Sequence, residues 1–600
     1  MCGIAGVINY QKYHLEKIQQ ALFHRGPDEQ KIFRKQNIAL VHTRLSIQDI
    51  ISGHQPFHYG DFSIIFNGEI YNHMMLRVHL KEFTFRTNSD TETLLYLYIK
   101  YKDKALEMVD GMFAFVIINF MTNKLFLARD RAGKKPLYLY KDSDSLFFAS
   151  ELNAIKVGVN NLKIHEESIY SYLRNGFFYA HYTPYRDVEE IDSGSFYEID
   201  IKTLEVQKSR YFNIENVYTS PLALSFNEAK IKIDQALHQS IKDRLLSSDR
   251  EVGAFLSGGI DSSLIVAIAS EYQTKLKTFT VKFNGAYDES RLAQLTANRY
   301  GSDHHTITID MNVRDDIEKI LYNYGMPFID SSAIPSYYVS KEAKKYVTVI
   351  LNGDGADELF AGYRRYIPMK NGLIGMVSKL SWLLKILPLP LNKKSFYSHL
   401  HRLLGMSNKR GLDFYNSATI DIFEDVYSFE NNNIFREMNQ FIDQVSLSPL
   451  SKQLYLDFSM ILLSDLLVKM DIATMAHSLE GRSPFLSRYM LELIPRISED
   501  YKIKGATTKY ILRELAKDYL PSELITQPKR GFEVPLMQWI EEDLKENIFD
   551  SLSSNASYAS QFIDNRFIQK LLHNQINVSP EKRAKMLWSL YSLEIWKKYQ

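Results

Sequence analysis

Short apolar runs separated by turn-forming residues fill the first 210 or so positions of the chain. Five of them are rich in β-branched and aromatic residues and are bounded by Asn, Gly or Asp: DFSIIFNGEIY, GMFAFVIINF, NKLFLARD, SLFFAS and SGSFYEIDI. This composition is typical of β-strands. Residues 91–109 instead carry apolar side chains at helical spacing. Strands in succession, with few helices between them, predict an α+β sandwich of antiparallel sheets.

From about residue 227 the pattern changes to an alternation of short apolar strands with helical segments. The predicted strands are EVGAFL (251–256), LKTFTVKF (276–283), HTITID (305–310) and YVTVILN (346–352). This rhythm predicts right-handed crossovers onto a parallel sheet, hence an α/β domain. The remainder, from about residue 364, looks mainly helical. A polar, Pro-containing connector at 213–225 separates the two predicted domains, residues 2–212 and residues 226–600.

Composition and charge argue against two classes of protein, those that coat nucleic acid and those that span a membrane. The 72 Lys and Arg residues against 71 Asp and Glu give a net charge of +1, which argues against a chain that coats nucleic acid. The apolar stretch 372–391 is interrupted by Lys379 and Lys385. It falls short of the ~20 apolar residues of a membrane span. We expect this stretch to pack against the C-terminal core, and we expect a cytoplasmic protein with neither a membrane nor a nucleic acid as partner.

The single cysteine of the chain stands at position 2, directly after Met1. One cysteine excludes an intrachain disulfide and a cysteine-based zinc site, and it fits a reducing compartment. If Met1 is removed, the thiol and a free α-amine belong to the same residue. The amine can then act as the base for its own nucleophile.

The surroundings of Cys2 carry a family resemblance. The motifs MCGIAG, HRGPD (24–28), RLSI (44–47), NGEIYN (67–72), SDTE (89–92), GMFAF (111–115) and ARDRAGKKPLY (128–138) occur in this order. They resemble the glutaminase domain of class II glutamine amidotransferases, which has an Ntn-type sandwich of antiparallel sheets between helices.

The resemblance implies a role for each of these residues. Cys2 attacks the side-chain amide of glutamine and releases ammonia, while Asn67 and Gly68 bind glutamine and form the oxyanion hole. Arg44, Glu69 and Asp90 hold the amino-acid head group of glutamine. The chemistry is consistent, because an oxyanion needs fixed amide donors and a zwitterion needs both a cation and carboxylates.

A second motif, AFLSGGIDSS (254–263), follows a predicted strand and opens a predicted helix. Ser257, Gly258, Gly259 and Ser262 let backbone N–H groups approach an anion at the helix N-terminus. Asp261 is a carboxylate inside this anion-binding loop, which is puzzling unless a divalent cation bridges it to phosphate. The Walker A spacing is missing.

The loop resembles the SGGxDS signature of the PP-loop ATP pyrophosphatases, which split ATP into AMP and pyrophosphate. A second carboxylate motif, NGDGADELFAGY (352–363), follows another predicted strand. By this resemblance Asp261 and Asp357 ligate Mg²⁺. Together with the loop residues Ser257, Gly258, Gly259, Asp261 and Ser262, the ATP site would contain Leu256, Val281, Asn352 and Gly353.

Three further stretches, at 466–486, 507–521 and 529–535, extend the likeness to glutamine-hydrolysing asparagine synthetases. Lys509 matches the lysine that stabilises charge on the phosphates, and Asp354 stands where a glutamate supports adenylate formation. The implied reaction uses ammonia from glutamine to amidate a carboxylate that Mg-ATP has activated. We expect aspartate as the acceptor and an enclosed channel between the two sites. The resemblance is compatible with a homodimer.

This chain departs from the family pattern at three positions, two of which bear on the identity of the acceptor. Asp354 is shorter than the usual glutamate, Ser331 replaces an arginine of some relatives, and Ser487 replaces a common aspartate. Asp354 and Ser331 belong to the acceptor pocket by resemblance. One alternative is therefore the same chemistry on another carboxylate, such as a surface-polysaccharide uronic acid or cell-wall diaminopimelate. A tRNA-modifying PP-loop enzyme and a non-catalytic homologue are further alternatives.

Overall fold

The computed structural model describes residues 1–282, 290–308, 313–387, 396–420, 422–423, 426–527 and 534–600. Most of the sequence motif at 529–535, the last residues of the apolar stretch 372–391 and the ends of two predicted strands lie outside the described residues.

Twelve strands precede the connector and form two antiparallel sheets. They are β1 (Cys2–Ile8), β2 (Glu29–Lys35), β3 (Ile38–Arg44), β4 (Phe57–Tyr59), β5 (Phe62–Ile70), β6 (Gly111–Asn119), β7 (Lys124–Arg129), β8 (Tyr138–Lys141), β9 (Leu146–Ala149), β10 (Val188–Glu190), β11 (Ser195–Asp200) and β12 (Val206–Arg210). The first sheet has the order β10-β8-β9-β1-β3-β2, and the second has the order β12-β11-β7-β6-β5-β4.

Six helices accompany these strands: α1 (Leu15–Leu22), α2 (His73–Leu76), α3 (Asp90–Tyr101), α4 (Ala105–Met108), α5 (Leu152–Gly158) and α6 (Glu166–Asn175). The predicted helix at 91–109 is thus divided into α3 and α4, because Lys102 adopts a positive φ of 54°.

Successive side chains of a strand point to opposite faces of its sheet. One face of each sheet therefore packs against the other sheet, and the opposite face packs against helices. Ile4 of β1 and Val116 of β6 lie in the apolar core between the sheets. Phe115, the neighbour of Val116, packs on the opposite face against Leu94 of α3. Helices therefore cover the outer faces, and the predicted α+β sandwich of antiparallel sheets is confirmed.

The connector contains a short helix, α7 (Ile214–Tyr218), which the sequence analysis did not predict. Asn213 caps it by accepting a hydrogen bond from the backbone N–H of Glu215. A long helix, α8 (Phe226–Leu246), then begins with a capping box formed by Ser225 and Glu228.

The predicted parallel sheet is confirmed and has five strands in the order β15-β14-β13-β16-β17. They are β13 (Val252–Phe255), β14 (Lys277–Lys282), β15 (Asp303–Thr308), β16 (Val349–Leu351) and β17 (Glu480–Arg482). The edge strand β17, which comes from the motif at 466–486, extends the sheet beside β16.

Helices cover this sheet and form the rest of the C-terminal region. They are α9 (Ile260–Tyr272), α10 (Ser290–Tyr300), α11 (Val313–Asn323), α12 (Ala333–Ala343), α13 (Ala356–Phe360), α14 (Tyr366–Lys370), α15 (Leu373–Ser378), α16 (Phe396–Ser407), α17 (Gly411–Thr419), α18 (Asn433–Gln444), α19 (Pro449–Asp457), α20 (Leu467–Met475), α21 (Arg488–Leu493), α22 (Glu499–Lys502), α23 (Tyr510–Ala516), α24 (Ser522–Ile525), α25 (Leu536–Glu541), α26 (Lys545–Leu552), α27 (Asn565–Leu572) and α28 (Pro580–Lys598). A π-helical segment, Phe458–Leu466, joins α19 to α20. The predicted helical character of this region is confirmed.

The apolar stretch that begins at residue 372 packs only in part, which corrects the expectation that it lies against the core. Ile374 contacts the C-terminal core, but Leu380, Trp382 and Ile386 are 50%, 59% and 69% exposed. The stretch breaks after α15 into a 3₁₀ turn, so its apolar side chains do not share one buried face. Among the described helices, none combines the length and apolarity that a membrane crossing requires.

Buried ion pairs join the regions before and after the connector. Asp471 Oδ1 of α20 accepts a hydrogen bond from Lys135 Nζ at 3.0 Å, and its Oδ2 forms an ion pair with Arg25 Nη2 at 2.9 Å. All three side chains are buried. Burial alone would raise the pKa of Asp471, but the two cations outweigh it and lower that pKa to about 2. Because a buried charge is tolerated only when it is paired, these contacts fix how the two regions dock.

We predict that Asp471→Asn destabilises the protein by about 3–5 kcal/mol, because it leaves the buried Lys135 without its ion-pair partner, while Arg25 keeps only Glu151. Denaturant unfolding measures the shift. The folded-state pKa of Asp471 is depressed, so its contribution is fully present above the unfolded value of about 3.9 and is lost as pH falls through about 2. The difference between wild type and variant should therefore shrink in acid.

The matched control is Asp413→Asn, which alters an exposed carboxylate paired with Arg174 and should leave the unfolding midpoint unchanged. Equal stability of Asp471→Asn and wild type at neutral pH would contradict the account of the interface.

Candidate active site

Cys2 begins β1 in the interior of the N-terminal region. Its side chain is buried, and its backbone nitrogen donates a hydrogen bond to Asn67 Oδ1 at 3.1 Å. The Asn67 side chain is therefore held by its oxygen, while its Nδ2 group is buried without a hydrogen-bond partner among the described residues. An amide donor in that situation beside a thiol is suited to receive an oxyanion.

Gly68 follows Asn67 on β5 where the strand lies against β6. Its φ is 153°, and an added Cβ would lie 2.1 Å from the carbonyl oxygen of Met112. Only glycine permits the two strands to approach so closely at this point. Position 68, directly after Asn67, therefore requires a glycine.

Two buried carboxylates lie near this site. Asp90 Oδ2 accepts the backbone N–H of Ile70 at 2.9 Å, and burial raises the pKa of Asp90 to about 6. Burial, together with the nearby charge of Asp90, also raises the pKa of Glu69 well above its usual range. Glu69 Oε1 is buried without a hydrogen-bond partner among the described residues. A bound ammonium group would supply the missing partner and favour the ionised carboxylates.

Arg44 lies opposite Cys2 in the register of β1 and β3. Its guanidinium donates to three backbone carbonyls in the loop after β3, with Nη2 at 2.7 Å from the Asp49 oxygen. Glu29 lies 3.4 Å from Nη1. The loop thus holds the Arg44 cation at the Cys2 end of the strand.

The C-terminal region contributes to the same site through β17. The terminal ammonium of Met1 lies 3.0 Å from Glu480 Oε2, and Arg482 Nη2 lies 3.2 Å from Glu69 Oε2. Burial opposes ionisation of Glu480, but the Met1 ammonium and Arg482 lower its pKa to about 2. The Met1 side chain packs against Tyr71, Met112 and Met475.

The predicted phosphate loop connects β13 to α9. The Ser262 hydroxyl contacts the Ser257 hydroxyl at 2.9 Å and accepts the Ser257 backbone N–H at 3.1 Å. Gly259 is the N-cap of α9. Hydrogen bonds between its own serines thus hold the loop in place at the N-terminus of the 13-residue helix α9. Anions are favoured at a helix N-terminus.

Asp261 and Asp357 are brought together by a lysine. Lys509 Nζ lies 2.6 Å from Asp261 Oδ2 and 2.7 Å from Asp357 Oδ1. Lys509 is the N-cap of α23 with φ 52° and ψ 35°, a left-handed conformation that non-glycine residues adopt at a cost of ~1–3 kcal/mol. The strained backbone turns the ammonium group between the two carboxylates.

This pair of carboxylates suits Mg²⁺. Asp261 Oδ1 is buried without a hydrogen-bond partner among the described residues. Within the described part of the chain no set of three or more potential metal ligands is assembled, so protein atoms would supply only part of the shell. Mg²⁺ is commonly held by one or two carboxylates plus phosphate oxygens and water. The donor set therefore fits.

Gly362 makes the Lys509 contact possible and was not singled out from the sequence. An added Cβ would lie 1.8 Å from Asp357 Oδ1 and 2.3 Å from Lys509 Cε. The repeated glycines of NGDGADELFAGY were its only sequence signal.

The predicted nucleotide-binding residues lie on adjacent strands of the parallel sheet. Leu256, Val281 and Asn352 stand at or just after the carboxyl ends of β13, β14 and β16, which are neighbours. Ligands of open α/β sheets bind at this edge. A Cβ added to Gly353 would lie 3.3 Å from Asp261 Cβ, so the two motif loops approach closely. Asn352 Nδ2 is buried and has no hydrogen-bond partner in the described ranges.

Asp354 lies between the two sites. Its Oδ2 accepts Lys134 Nζ at 2.9 Å and Ser483 Oγ at 3.2 Å. A cavity of about 10 Å³ adjoins this contact. Its lining is Tyr71, Gly111, Met112, Asp130, Lys134, Arg244, Ser483 and Leu486. Because Tyr71 and Met112 also contact Met1, the cavity lies between the Cys2 end of β1 and Asp354.

Two family models match the regions on either side of the connector. Residues 232–598 match the family model described as asparagine synthase, and residues 1–212 match that described as a glutamine amidotransferase domain. The chain belongs to the asparagine synthase family. It is an ATP-dependent amidotransferase ligase of this family.

Two curated relatives span almost the whole chain, and a third spans two thirds of it. The family member named asparagine synthetase [glutamine-hydrolyzing] 1 of Bacillus subtilis is 33% identical over 99% of this chain and 96% of its own length. A putative asparagine synthetase [glutamine-hydrolyzing] of Mycobacterium tuberculosis is 29% identical over 96% of this chain and 91% of its own length. A protein of Methanocaldococcus jannaschii named putative asparagine synthetase [glutamine-hydrolyzing] 2 is 33% identical over 66% of this chain and 81% of its own length.

The residues of this chain that differ from the family pattern have different environments. Ser487 is the N-cap of α21 and accepts the Met490 N–H at 3.3 Å, a role that serine and aspartate both perform. Ser331 lies beside Asp330 and Ser332, which contact Lys469.

The sequence alone did not identify the residues that join the two sites. Lys134, Glu480 and Arg482 all lie in motifs that carry the resemblance. No periodicity or spacing reveals that a strand of the C-terminal region enters the Cys2 site.

We predict that Gly362→Ala lowers ATP-dependent pyrophosphate release at least ~10-fold, because the new methyl group displaces Asp357 and Lys509. Glutamine hydrolysis should be unchanged, since Gly362 is not part of the Cys2 site. Parallel assays of pyrophosphate and glutamate measure both effects. Gly375→Ala, whose Cβ meets no atom within 4 Å, is the control. Full pyrophosphate release by Gly362→Ala would contradict the assigned geometry.

Proposed function

We propose that this protein is a glutamine-hydrolysing asparagine synthetase. It would hydrolyse glutamine to glutamate and ammonia, adenylate the side-chain carboxylate of aspartate with ATP, and form asparagine, AMP and pyrophosphate. The observation that carries the proposal is the path of β17 and the residue after it. Arg482 contacts Glu69 beside Cys2, and Ser483 contacts Asp354.

The glutaminase step would begin with removal of Met1, which frees the α-amine of Cys2. Burial raises the pKa of the Cys2 thiol, so its proton must leave as the sulfur attacks. An α-amine has an ordinary pKa of about 7.7–8.0, so it is suited to take that proton and pass it to the leaving nitrogen. Asn67 Nδ2 would donate to the oxyanion, and water would then hydrolyse the thioester to glutamate.

Binding of glutamine would use the charges around Cys2. Arg44 supplies the cation for the α-carboxylate, and Glu69 and Asp90 supply carboxylates for the ammonium group. The unpartnered Glu69 Oε1 supports this assignment.

Ammonia would pass to the second site inside the protein. The cavity beside Lys134 and Ser483, which Tyr71 and Met112 also line, supports such a route. Exclusion of water protects an acyl-adenylate from hydrolysis.

The synthetase step would use the edge of the parallel sheet. The Ser257–Ser262 loop would bind phosphate oxygens, and Lys509 would stabilise the negative charge that develops as pyrophosphate leaves. Asp261 and Asp357 would hold Mg²⁺, which neutralises phosphate charge when bound. Asp354 would orient the activated acceptor toward the incoming ammonia, with its own carboxylate held by Lys134 and Ser483.

We predict that Cys2→Ala abolishes glutamine hydrolysis and glutamine-dependent asparagine formation. With an ammonium salt as the nitrogen source, asparagine formation should persist, because the synthetase residues are untouched. Asparagine and pyrophosphate are measured for wild type and variant with each source.

Equal loss with both nitrogen sources would contradict the division of labour between the two sites. Pyrophosphate release with a uronic acid or diaminopimelate, but not with aspartate, would keep the chemistry and assign the alternative acceptor.

A further inference from the structure

A strongly basic stretch surrounds the apolar segment that begins at residue 372. Between Glu358 and Asp413 the sequence holds ten Lys and Arg residues and no Asp or Glu. At the average frequency of acidic residues in this chain, these 54 positions would contain about six. Outside the stretch, the remaining 62 of the 72 Lys and Arg residues stand against 71 Asp and Glu. Positive charge is thus concentrated in one segment, which the steps above do not use.

Large apolar side chains are exposed within this basic stretch. Leu380, Trp382 and Ile386 are each at least half exposed, and Leu400 of α16 is 39% exposed. We call these four residues the apolar patch. They lie in or beside α15, the 3₁₀ turn and α16, which pack against one another. Exposed apolar patches mark contacts with proteins or membranes.

Two exposed cations adjoin the apolar patch in the sequence. Lys379 precedes Leu380, and Arg402 lies two positions after Leu400. The aliphatic stem of such a side chain can lie along an apolar surface while its charge remains in a polar environment. Tryptophan favours the boundary between an apolar phase and water. An apolar patch that contains a tryptophan and is flanked by cations is typical of segments that lie in a membrane interface.

We propose that the apolar patch docks on the surface of an anionic lipid bilayer. The patch enters the boundary between the head groups and the acyl chains, while the surrounding cations contact lipid phosphates. The contact is peripheral and involves no membrane span. It departs from the expectation that no membrane is a partner, because that expectation considered only a span. The inference is independent of the proposed function.

The charge of the stretch favours a bilayer over other occupants. Two copies of the chain joined through the same patch would bring two basic stretches without carboxylates against each other, and like charges repel. A nucleic acid would neutralise the cations, but it would leave Ile386 without an apolar environment. An anionic bilayer supplies phosphate charges and an apolar phase directly beneath them.

Tryptophan fluorescence tests the proposal on the intact protein. Trp382 is the one exposed tryptophan of the four in the chain, since Trp539, Trp588 and Trp596 are at most 6% exposed. With vesicles of equal amounts of phosphatidylcholine and phosphatidylglycerol, we expect a blue shift of the emission because Trp382 leaves water. Vesicles of phosphatidylcholine alone should give little shift, and added salt should weaken binding. In Trp382→Phe, binding should persist without the shift.

Cosedimentation with the same anionic vesicles measures the affinity of variants. Lys379→Glu combined with Arg402→Glu should weaken binding at least ~30-fold, because each basic residue near an anionic surface contributes roughly 5-fold. Ile386→Ser should weaken binding about 10-fold through the lost apolar contact. Met121→Ser, at a 70% exposed residue in the turn between β6 and β7, is the matched control and should bind as wild type does. Unchanged glutamine hydrolysis reports that each variant is folded.

Equal binding to both kinds of vesicle, or binding that leaves the Trp382 emission unchanged, would overturn the proposal. Wild-type affinity of the charge-reversed variant or of Ile386→Ser would also overturn it. Binding to a DNA duplex but not to anionic vesicles would contradict it. So would a lipid-free oligomer that Ile386→Ser dissociates, because the patch would then be a contact between copies of the chain. If Ile386→Ser fails to fold, the charge-reversed variant and the emission of wild type decide.

Discussion

The pairing of buried charges across the two regions is the constraint on which the rest of the structure depends. Asp471 holds Arg25 and Lys135, Arg482 holds Glu69, and Lys134 holds Asp354. Each pair takes one member from either side of the connector. A shifted docking that kept these side chains buried would break all of these pairs, and Lys134 and Lys135 would lose their only ion pairs among the described residues, so the docking is more specific than apolar packing alone requires. The Cys2 site and the carboxylates of the parallel sheet are consequently held in one fixed relation.

The short strand β17 and the residue after it contact both sites. β17 pairs with β16 of the parallel sheet, while its last residue, Arg482, contacts Glu69 beside Cys2. The residue after the strand, Ser483, contacts both Asn352 and Asp354. The two chemistries therefore share one piece of backbone, and a displacement of β17 would disturb both. The loop from Asp130 to Lys135 acts from the other side, since four backbone N–H groups converge on Asp130 and set the positions of both lysines.

Local patterns predicted the fold well and the contacts between regions poorly. The strands around Asn67 and Leu256 follow from short-range composition, as does the loop at Ser257. The division of 91–109 into two helices depends on one positive φ at Lys102, which no periodicity encodes. The exposure of Trp382 depends on where a helix breaks. Glu480, Lys134 and Gly362 act through residues distant in sequence, so spacing alone could not assign them. The roles proposed for Cys2, Asp261 and Lys509 rest on resemblance, and the geometry adds that Asp261 Oδ1 is buried without a hydrogen-bond partner among the described residues.

The transfer of nitrogen between the two sites is the central claim, and isotope labelling tests it most directly. The enzyme receives aspartate, Mg-ATP, glutamine labelled with ¹⁵N at the side-chain amide, and an equal concentration of unlabelled ammonium. If the docked regions enclose the route, early asparagine should carry ¹⁵N in nearly every amide group. If ammonia first equilibrates with solvent, the small amount released is diluted by the bulk pool, and early asparagine would carry almost no label. That second result would contradict the account.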